Sequence, residues 1–384
     1  MSPERTPSSV LATAEGVRSA SGVREAMREE IVSGRLAPGD RLPTHVDLAR
    51  HFGVSNVTIQ NGLNQLAGDG FIEIRPRVGS FVVQHPPHLR NIALVFPFEP
   101  AAPPARWNWS RYYQTLTMAA REVQSDLGRR LIPFHGIDFD TDSEDRRRLL
   151  RHIERRQLAG LIFANPSGML EDTPIVDDPH LGRVELALEG EADWPVINLD
   201  SRRWFELALD RLAERGRRRV AILLHRFVRN KFFRADAFDR SLAERDMRCP
   251  PYWRQAIDWH DPEAASHCVQ LLMRGPVEER PEALLVADDN LMEGVSAGLV
   301  RAGAQVPEEV EVVARANFPV PAEPALPFRL LGYDMRDVLR RAVDLIDRQR
   351  RGDEAEKESR FPPVWREGSG QRSGHVPRKQ LTSV

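Results

Sequence analysis

Residues 34–83 read GRLAPGDRLPTHVDLARHFGVSNVTIQNGLNQLAGDGFIEIRPRVGSFVV, and this stretch decides the fold of the N-terminal region. The pattern predicts two short helices separated by a turn at Gly53, followed by two β-like runs. Thr44, with Asp47 three residues later, suits the start of the first helix, and Ser55 suits the start of the second. This order of elements is typical of a helix-turn-helix with a β-wing and indicates a DNA-binding domain.

The second predicted helix has two chemically different faces. Ile59, Leu63 and Leu66 recur at helical spacing and are expected to face the core. The opposite face carries amides, a hydroxyl and a valine, which suit base edges and thymine methyl groups. The residues predicted to contact DNA are Arg41, Thr44, Ser55, Asn56, Val57, Thr58, Gln60, Asn61, Asn64, Arg75, Arg77 and Gly79. Further candidates for phosphate contacts are Arg24, Arg28 and Arg50.

The same stretch resembles the winged-helix domain of the GntR family of bacterial transcription regulators. The matches include Ser33-Gly34-Arg35-Leu36, Pro38-Gly39-Asp40-Arg41-Leu42-Pro43, Leu48-Ala49, Val54-Ser55 and Gly79-Ser80-Phe81-Val82. The family usually has arginine at the positions of Val46, Asn56 and Gln60, and glycine at the wing tip, where this chain has Arg77. The resemblance therefore implies the fold and DNA binding, but not the family's usual operator.

The composition frames the rest of the chain. Its 384 residues favour two domains, and a net charge of −2 gives no overall nucleic-acid signature, so DNA affinity must come from placed charges. Two cysteines are too few for a disulfide framework, and we expect both in or near core helices. We expect a cytoplasmic protein without membrane contact, because no apolar run approaches the length of a membrane span. Residues 1–20 and 370–384 are predicted to be disordered tails.

We expect a winged helix over 21–84, a short linker over 85–90 and a second domain over 91–369. Apolar runs alternate with helical patterns through this second domain, beginning with the strand Ile92–Phe96 and ending with a strand at 310–313. Two successive βα series predict an α/β fold with two lobes, each a doubly wound parallel sheet. Ligands of such folds bind beyond the carboxyl ends of the strands, here in the cleft between the lobes.

Residues 90–370 resemble the effector-binding domain of the LacI/GalR regulators, which is similar to periplasmic sugar-binding proteins. The matches include Leu158–Ile162, Leu212–Ala221, Arg234–Phe238, Ala287-Asp288-Asp289, and Val306–Val310. The family's glycine-aromatic-aspartate-aspartate loop reads Ala314-Arg315-Ala316-Asn317 here, so the acid that often holds a sugar hydroxyl is absent. The resemblance implies a small-molecule effector, and we expect a carbohydrate.

Candidate ligand contacts follow the predicted strand ends. They are Trp107, Trp109, Asn165, Asp200, Arg234, Asp288, Asp289 and Asn317. Arg234 matches the family's ligand-reading arginine, whereas the aromatic residues, with Tyr112 in the same loop, could stack on a sugar ring. Three alternatives remain open: the tryptophans pack against the domain, Asp289 caps a helix, or Arg234 and Asp288 form a salt bridge that closes the lobes.

A binding protein is favoured over an enzyme, and no cofactor is expected. The sequence lacks a G-x-S-x-G elbow, a P-loop and an HExxH motif, and Lys231 stands without a motif for Schiff-base chemistry. We therefore expect a homodimeric transcriptional repressor that binds an inverted-repeat operator and responds to a sugar or sugar derivative. The alternative is a solute sensor whose winged helix mediates protein contacts.

Overall fold

The computed structural model describes residues 17–100, 110–137, 142–166, 168–170, 173–178, 181–188, 190, 192–225, 236–258, 261 and 263–366. The helices are α1 (Ala20–Val32), α2 (His45–Phe52), α3 (Asn56–Gly68), α4 (Pro87–Arg90), α5 (Arg111–Leu127), α6 (Glu144–Glu154), α7 (Pro174–Asp177), α8 (Ser201–Glu214), α9 (Ala237–Ala243), α10 (Ala264–Leu272), α11 (Met292–Arg301) and α12 (Met335–Arg351). The strands are β1 (Ile72–Arg75), β2 (Gly79–Val82), β3 (Asn91–Val95), β4 (Arg130–Phe134), β5 (Gly160–Phe163), β6 (Gly182–Ala187), β7 (Val196–Leu199), β8 (Val220–His225), β9 (Arg254–Ile257), β10 (Ala283–Val286), β11 (Glu311–Phe318), β12 (Arg329–Asp334), β13 (Glu358–Phe361) and β14 (Val364–Arg366).

Helices α1–α3 and the antiparallel pair β1–β2 form the head, a winged helix-turn-helix over residues 17–83, as predicted. The predicted helix starts are confirmed. The Asp47 amide donates to Thr44 Oγ at 3.2 Å, and the Thr58 amide donates to Ser55 Oγ at 3.1 Å. Because these bonds satisfy amides at the helix starts, they fix the two helices and the turn between them.

The two predicted α/β lobes are also confirmed, each built on a six-stranded sheet in the described part of the chain. Lobe 1 has the strand order β13-β7-β6-β5-β3-β4 and is parallel throughout. Lobe 2 has the order β14-β12-β11-β10-β8-β9, in which β14 alone is antiparallel to its neighbour. The central strands of both sheets are buried on both faces, which explains their continuous apolar sequences.

Several elements were not predicted from the sequence: strands β6 and β12 and helix α12. Helix α12 comes late in the chain, yet its apolar side packs into the core of lobe 1 through Val338, Leu339 and Ile346. Strand β13 then pairs with β7 at the edge of the same sheet. The lobes are therefore not two consecutive halves of the chain, because the C-terminal segment returns to lobe 1.

The head contacts lobe 1 directly, at the loop that follows α6. Arg28 Nη1 donates to the Arg155 carbonyl at 2.9 Å, and Gln157 Nε2 donates to the Asp69 carbonyl at 3.1 Å. The Arg155 guanidinium lies 3.4 Å from the Asp69 carboxylate, and Arg156 pairs with a glutamate of α1. This polar interface joins the head to the two-lobed part of the molecule.

The predicted linker is a packed element rather than a free connection. His88 on α4 is buried and stacks on Phe71 of the head, with ring centroids 5.6 Å apart. Burial and the nearby Arg350 lower the pKa of His88 to about 4, so the ring is neutral at physiological pH. Residues 17–20 of the predicted N-terminal tail lie in the described structure, where Ser19 caps α1. The predicted tail over 370–384 lies outside the described residues.

The described helices include none that is long and apolar enough to span a bilayer. Cys249 and Cys268 are both unpaired thiols, the first buried outside a helix and the second on α10.

Candidate nucleic-acid interface and effector site

Helix α3 presents the predicted polar face to solvent. Asn56, Asn61 and Asn64 are exposed, and the Val57 side chain is 69% exposed, while Ile59 on the opposite face is fully buried. Gln60 Nε2 donates to Asn64 Oδ1 at 2.9 Å, which holds two amides in one orientation. The face therefore combines hydrogen-bonding groups with an apolar tip, the combination that reads base edges in the major groove.

The wing beside α3 is braced by an arginine. Arg41 Nη2 donates to the Val78 carbonyl at 2.6 Å, and a Cβ added to Gly79 would lie 2.9 Å from Arg41 Nε. Gly79 therefore allows Arg41 to cross the wing closely. Arg77 occupies the tip with φ of 61°, the left-handed conformation in which glycine is usual. Arg75 pairs with an acidic neighbour and covers the Phe81 ring.

Two arginines considered as phosphate contacts lie elsewhere. The Arg28 side chain is only 2% exposed and faces lobe 1, and Arg24 Nε lies 3.9 Å from the Asp69 carboxylate at the same interface. Arg28 is therefore unavailable to DNA in this arrangement. Arg50, in contrast, is exposed at the end of α2. The sequence could not separate these arginines, because charge alone does not show which face of a helix docks on another domain.

The cleft between the lobes is lined by polar groups from both sheets. From lobe 1, Asn165 follows β5, and Tyr112 Oη at the start of α5 donates to the Ala164 carbonyl at 3.1 Å. Across the cleft, Asn290 Oδ1 of lobe 2 accepts from the Arg111 amide at 3.1 Å. Tyr112 lies in the first turn of α5 and not in the loop that the sequence predicted for it. Burial raises the pKa of Tyr112, so its hydroxyl stays protonated.

The two aspartates after β10 make different contacts, and the capping role that the sequence offered for Asp289 belongs to Asp288, at the start of the short 3-10 helix Asp289–Leu291. Asp288 is the cap, because its Oδ1 accepts from the Asn290 amide at 2.9 Å and from the Asn290 side chain at 2.7 Å. Asp289 is buried and accepts from Asn317 Nδ2 at 2.8 Å. Burial, with a contribution from Asp288, raises the pKa of Asp289 to about 7 against the lowering effects of Asn317, Arg111 and Arg315. The cleft therefore holds a carboxyl that is partly protonated near neutral pH.

Arg315 is a cleft residue that was not among our candidates. Its Nη2 donates to Ser201 Oγ at 3.3 Å and to Tyr333 Oη at 3.2 Å, and its guanidinium lies 5.1 Å from the centroid of the Tyr333 ring. Ser201 and Tyr333 stand where the chain passes between the lobes. The signal that could have found Arg315 is its place in the segment Ala314–Asn317, which lies within β11 and departs from the related family's glycine-aromatic-aspartate-aspartate pattern.

The remaining sequence candidates are placed as follows. Asp200 is the N-cap of α8, where it accepts from the Arg203 amide at 2.9 Å. Trp107, Trp109 and Arg234 lie outside the described residues. The proposed salt bridge between Arg234 and Asp288 therefore stays a prediction. In the described part of the chain, no group of three or more His, Cys, Asp or Glu side chains is arranged to hold a metal ion.

Comparison with known families matches both domains. Residues 19–82 match the family described as bacterial regulatory proteins, gntR family, and residues 209–369 match the periplasmic binding protein-like domain. The arabinose metabolism transcriptional repressor of Geobacillus stearothermophilus is 22% identical over 303 residues, which cover 75% of this chain and 79% of that protein.

Solved structures share the fold of the two-lobed part. The Escherichia coli transcriptional repressor ascG aligns with a TM-score of 0.54 and 14% identity over 74% of this chain and 100% of that chain. A LacI family transcriptional regulator from Lactobacillus casei with bound glucose aligns with a TM-score of 0.50 and 16% identity, over 72% of this chain and 98% of that one.

Fold and site together define a protein with a DNA-binding head on a two-lobed, ligand-binding α/β domain, the arrangement of a transcription regulator. More specifically, the chain combines a winged helix that matches the gntR family of bacterial regulatory proteins with a domain that matches the periplasmic binding protein-like domain.

Proposed function

We propose that this protein is a transcriptional repressor that binds a specific operator and is controlled by a carbohydrate-derived effector in the cleft between its lobes. The observation that carries the proposal is the exposed, uncharged face of α3 beside a wing tipped by Arg77. A solvated helix usually carries charges on its outer face, whereas the amides of this face suit adenine or guanine edges. The name of the Geobacillus relative supports both repression and a sugar effector.

The head–lobe interface gives the effector a route to the DNA. A ligand that bridges Asn165 of lobe 1 and Asp288 of lobe 2 favours the closed arrangement of the lobes. Lobe 1 carries the head through Arg155 and Gln157, so a change in lobe angle reorients the head. In a dimer, that motion alters the distance between two recognition helices and hence their match to successive major grooves.

The proposal is tested by fluorescence anisotropy with genomic fragments, first from the region upstream of the protein's own gene. We expect selective binding to an inverted repeat whose half-sites are about one helical turn apart. The triple variant Asn56→Ala, Asn61→Ala, Asn64→Ala should lose the selectivity, whereas Arg202→Gln on the surface of α8 should retain it. If the wild-type protein shows no sequence preference at any salt concentration, a solute sensor with a protein-binding head is the better description.

A further inference from the structure

We propose that the effector carries an anionic group, a carboxylate or a phosphate, and that Arg315 binds this group. The inference rests on the proposed function, since it assigns a chemistry to the effector of the same cleft. It is carried by the partly buried Arg315 guanidinium, which two described side chains orient and which forms no ion pair with a described acidic residue.

The protein positions the Arg315 guanidinium on one side only. Both of its hydrogen bonds use Nη2, which donates to Ser201 Oγ and Tyr333 Oη. The plane is further held near the face of the Tyr333 ring. Nε and Nη1 make no hydrogen bond to a described residue, and these two donors form the fork that pairs with a carboxylate or phosphate in a bidentate manner.

The charge of Arg315 lacks the partner that other arginines in the same lobe have. Arg215 and Arg329 both pair with Glu311, at 2.7 and 2.5 Å, at the opposite end of the strand. No Asp or Glu oxygen in the described ranges lies within 4.0 Å of the Arg315 guanidinium. Of the undescribed segments, 101–109 and 226–235 directly follow β3 and β8 and contain no acidic residue, whereas acidic residues stand at positions 138, 140, 171, 172, 189 and 191.

The carboxyl of Asp289 interacts with Arg315 without cancelling its charge. Asp289 is 3% exposed, accepts from Asn317, and has its pKa raised to about 7, so it is a weak counter-ion at neutral pH. Asn165 and Asp288 add groups suited to hydroxyls on either side of the cleft. A hydroxylated acid, such as a sugar acid or a sugar phosphate, satisfies both kinds of group.

The test is thermal unfolding and titration calorimetry of the full chain with four probes: D-glucose, D-gluconate, D-glucuronate and D-glucose 6-phosphate. At about 10 mM, at least one acid should raise Tm by about 2 °C or more, and glucose should not. The two kinds of acid separate a carboxylate-reading site from a phosphate-reading site.

Variants at position 315 decide whether the arginine is responsible. Arg315→Gln should raise the Kd of the active acid about 10- to 100-fold, because a charge-assisted bond pair is lost. Arg315→Lys should restore part of the affinity, since it keeps the charge but not the fork. The control Arg202→Gln, an exposed arginine of α8, should change nothing. If Arg315→Gln does not fold, Arg315→Lys is titrated in its place. This variant should have the same ligand-free Tm as the wild type and should lose less affinity for the acid than is expected of Arg315→Gln.

The proposal is overturned if glucose stabilises the protein and no acid does, if none of the acids does, or if Arg315→Gln binds the acid as tightly as the wild type. Operator binding by the ligand-free protein is measured separately by anisotropy. A failure of acid recognition with intact operator binding therefore leaves the proposed function standing.

Discussion

Asn61 is the residue on which the DNA-reading proposal depends most directly. It is exposed in the middle of α3, on the side opposite Leu63. Asn61→Ala should weaken binding to the cognate operator by about 1–3 kcal/mol and relax the preference at one base pair, because a bidentate base contact is lost. Binding to a panel of single-base operator variants measures this, and an equal loss on every sequence would contradict a base contact.

Arg77 provides the contrasting control at the wing tip. Since its φ of 61° suits glycine, Arg77→Gly removes the charge while preserving the turn. We expect weaker binding to all sequences alike and a salt dependence shallower by about one unit of slope. A change in base preference would place Arg77 on a base instead of a phosphate.

Asp289 should make folding stability depend on pH in an unusual direction. In the unfolded chain the carboxyl ionises near pKa 3.8, whereas burial raises its pKa in the folded chain to about 7. Between these values folding takes up a proton, so this residue's contribution to stability is lost as pH rises from about 4 to about 7. Asp289→Asn should therefore be more stable than the wild type at pH 8, by up to about 4 kcal/mol, with no difference near pH 4.

Urea unfolding at several pH values measures this effect, with exposed Asp142→Asn as the matched control. Equal stabilities of Asp289→Asn and the wild type at pH 8 would show that the Asp289 carboxyl ionises normally.

For single residues, the sequence predicted contacts between neighbours along the chain better than contacts between residues that are distant in sequence. The helix starts at Thr44 and Ser55 follow from local hydrogen bonds and could be predicted. The burial of Asp289 against Asn317, instead of a capping role, could not be predicted, because Asn317 lies on a neighbouring strand 28 residues away in sequence. The place of Arg315 in the cleft could not be predicted either, because Ser201 and Tyr333, which orient its guanidinium, belong to other elements of the chain.

Among the elements, α3 and α1 pack unusually closely, at a glycine. A Cβ on Gly62 would lie 2.8 Å from both the Ala20 carbonyl and the Val23 side chain. Gly62→Ala should therefore destabilise the head, by about 1–3 kcal/mol, because the two helices must move apart. Gly68 at the end of α3 has open space around its Cβ position, so Gly68→Ala should be neutral or slightly stabilising.

Thermal unfolding followed by circular dichroism compares the two glycine variants. If Gly62→Ala were as stable as Gly68→Ala, the close approach of α1 and α3 would not exist in solution.

The alternation of apolar runs and helical patterns predicted most elements of the two sheets. Strand β6 was missed because Gly182-Arg183-Val184-Glu185 carries charges within the strand, although Glu185 is buried. Helix α12 was missed although its sequence is strongly amphipathic, because the strand–helix alternation already seemed complete at 310–313. Helix α12 packs on lobe 1 because the chain crosses back from lobe 2 after β12, and a local sequence pattern does not show this crossing.

For the whole molecule, lobe 2 has an exposed groove of mixed polar and apolar lining that is suited to a second copy of the chain. The groove has a volume of about 750 Å³ and lies between β9 and α10, with Tyr252 65% exposed and Leu271 63% exposed along it. We expect this surface to form the homodimer that an inverted-repeat operator requires. Leu271→Asp should convert the dimer to a monomer, because a charge would be buried without a partner.

Light scattering with size exclusion measures the change. The matched control is Val364→Asp, since Val364 is 47% exposed on β14 at the opposite edge of the same sheet. If the wild type is a monomer, or Leu271→Asp stays dimeric, this groove is not the dimer interface.

The return of the chain to lobe 1 also sets the order in which the protein can be completed on the ribosome. The head needs residues up to Val83, and the parallel strands of lobe 2 end at Asp334. Lobe 1 begins at Asn91, yet its core lacks Val338, Leu339 and Ile346 until α12 has been synthesised. The lobe that is started first is therefore finished after the parallel strands of its partner. A protein truncated near position 335 would keep most elements of lobe 2, but its lobe 1 would lack α12 and the core residues that this helix contributes.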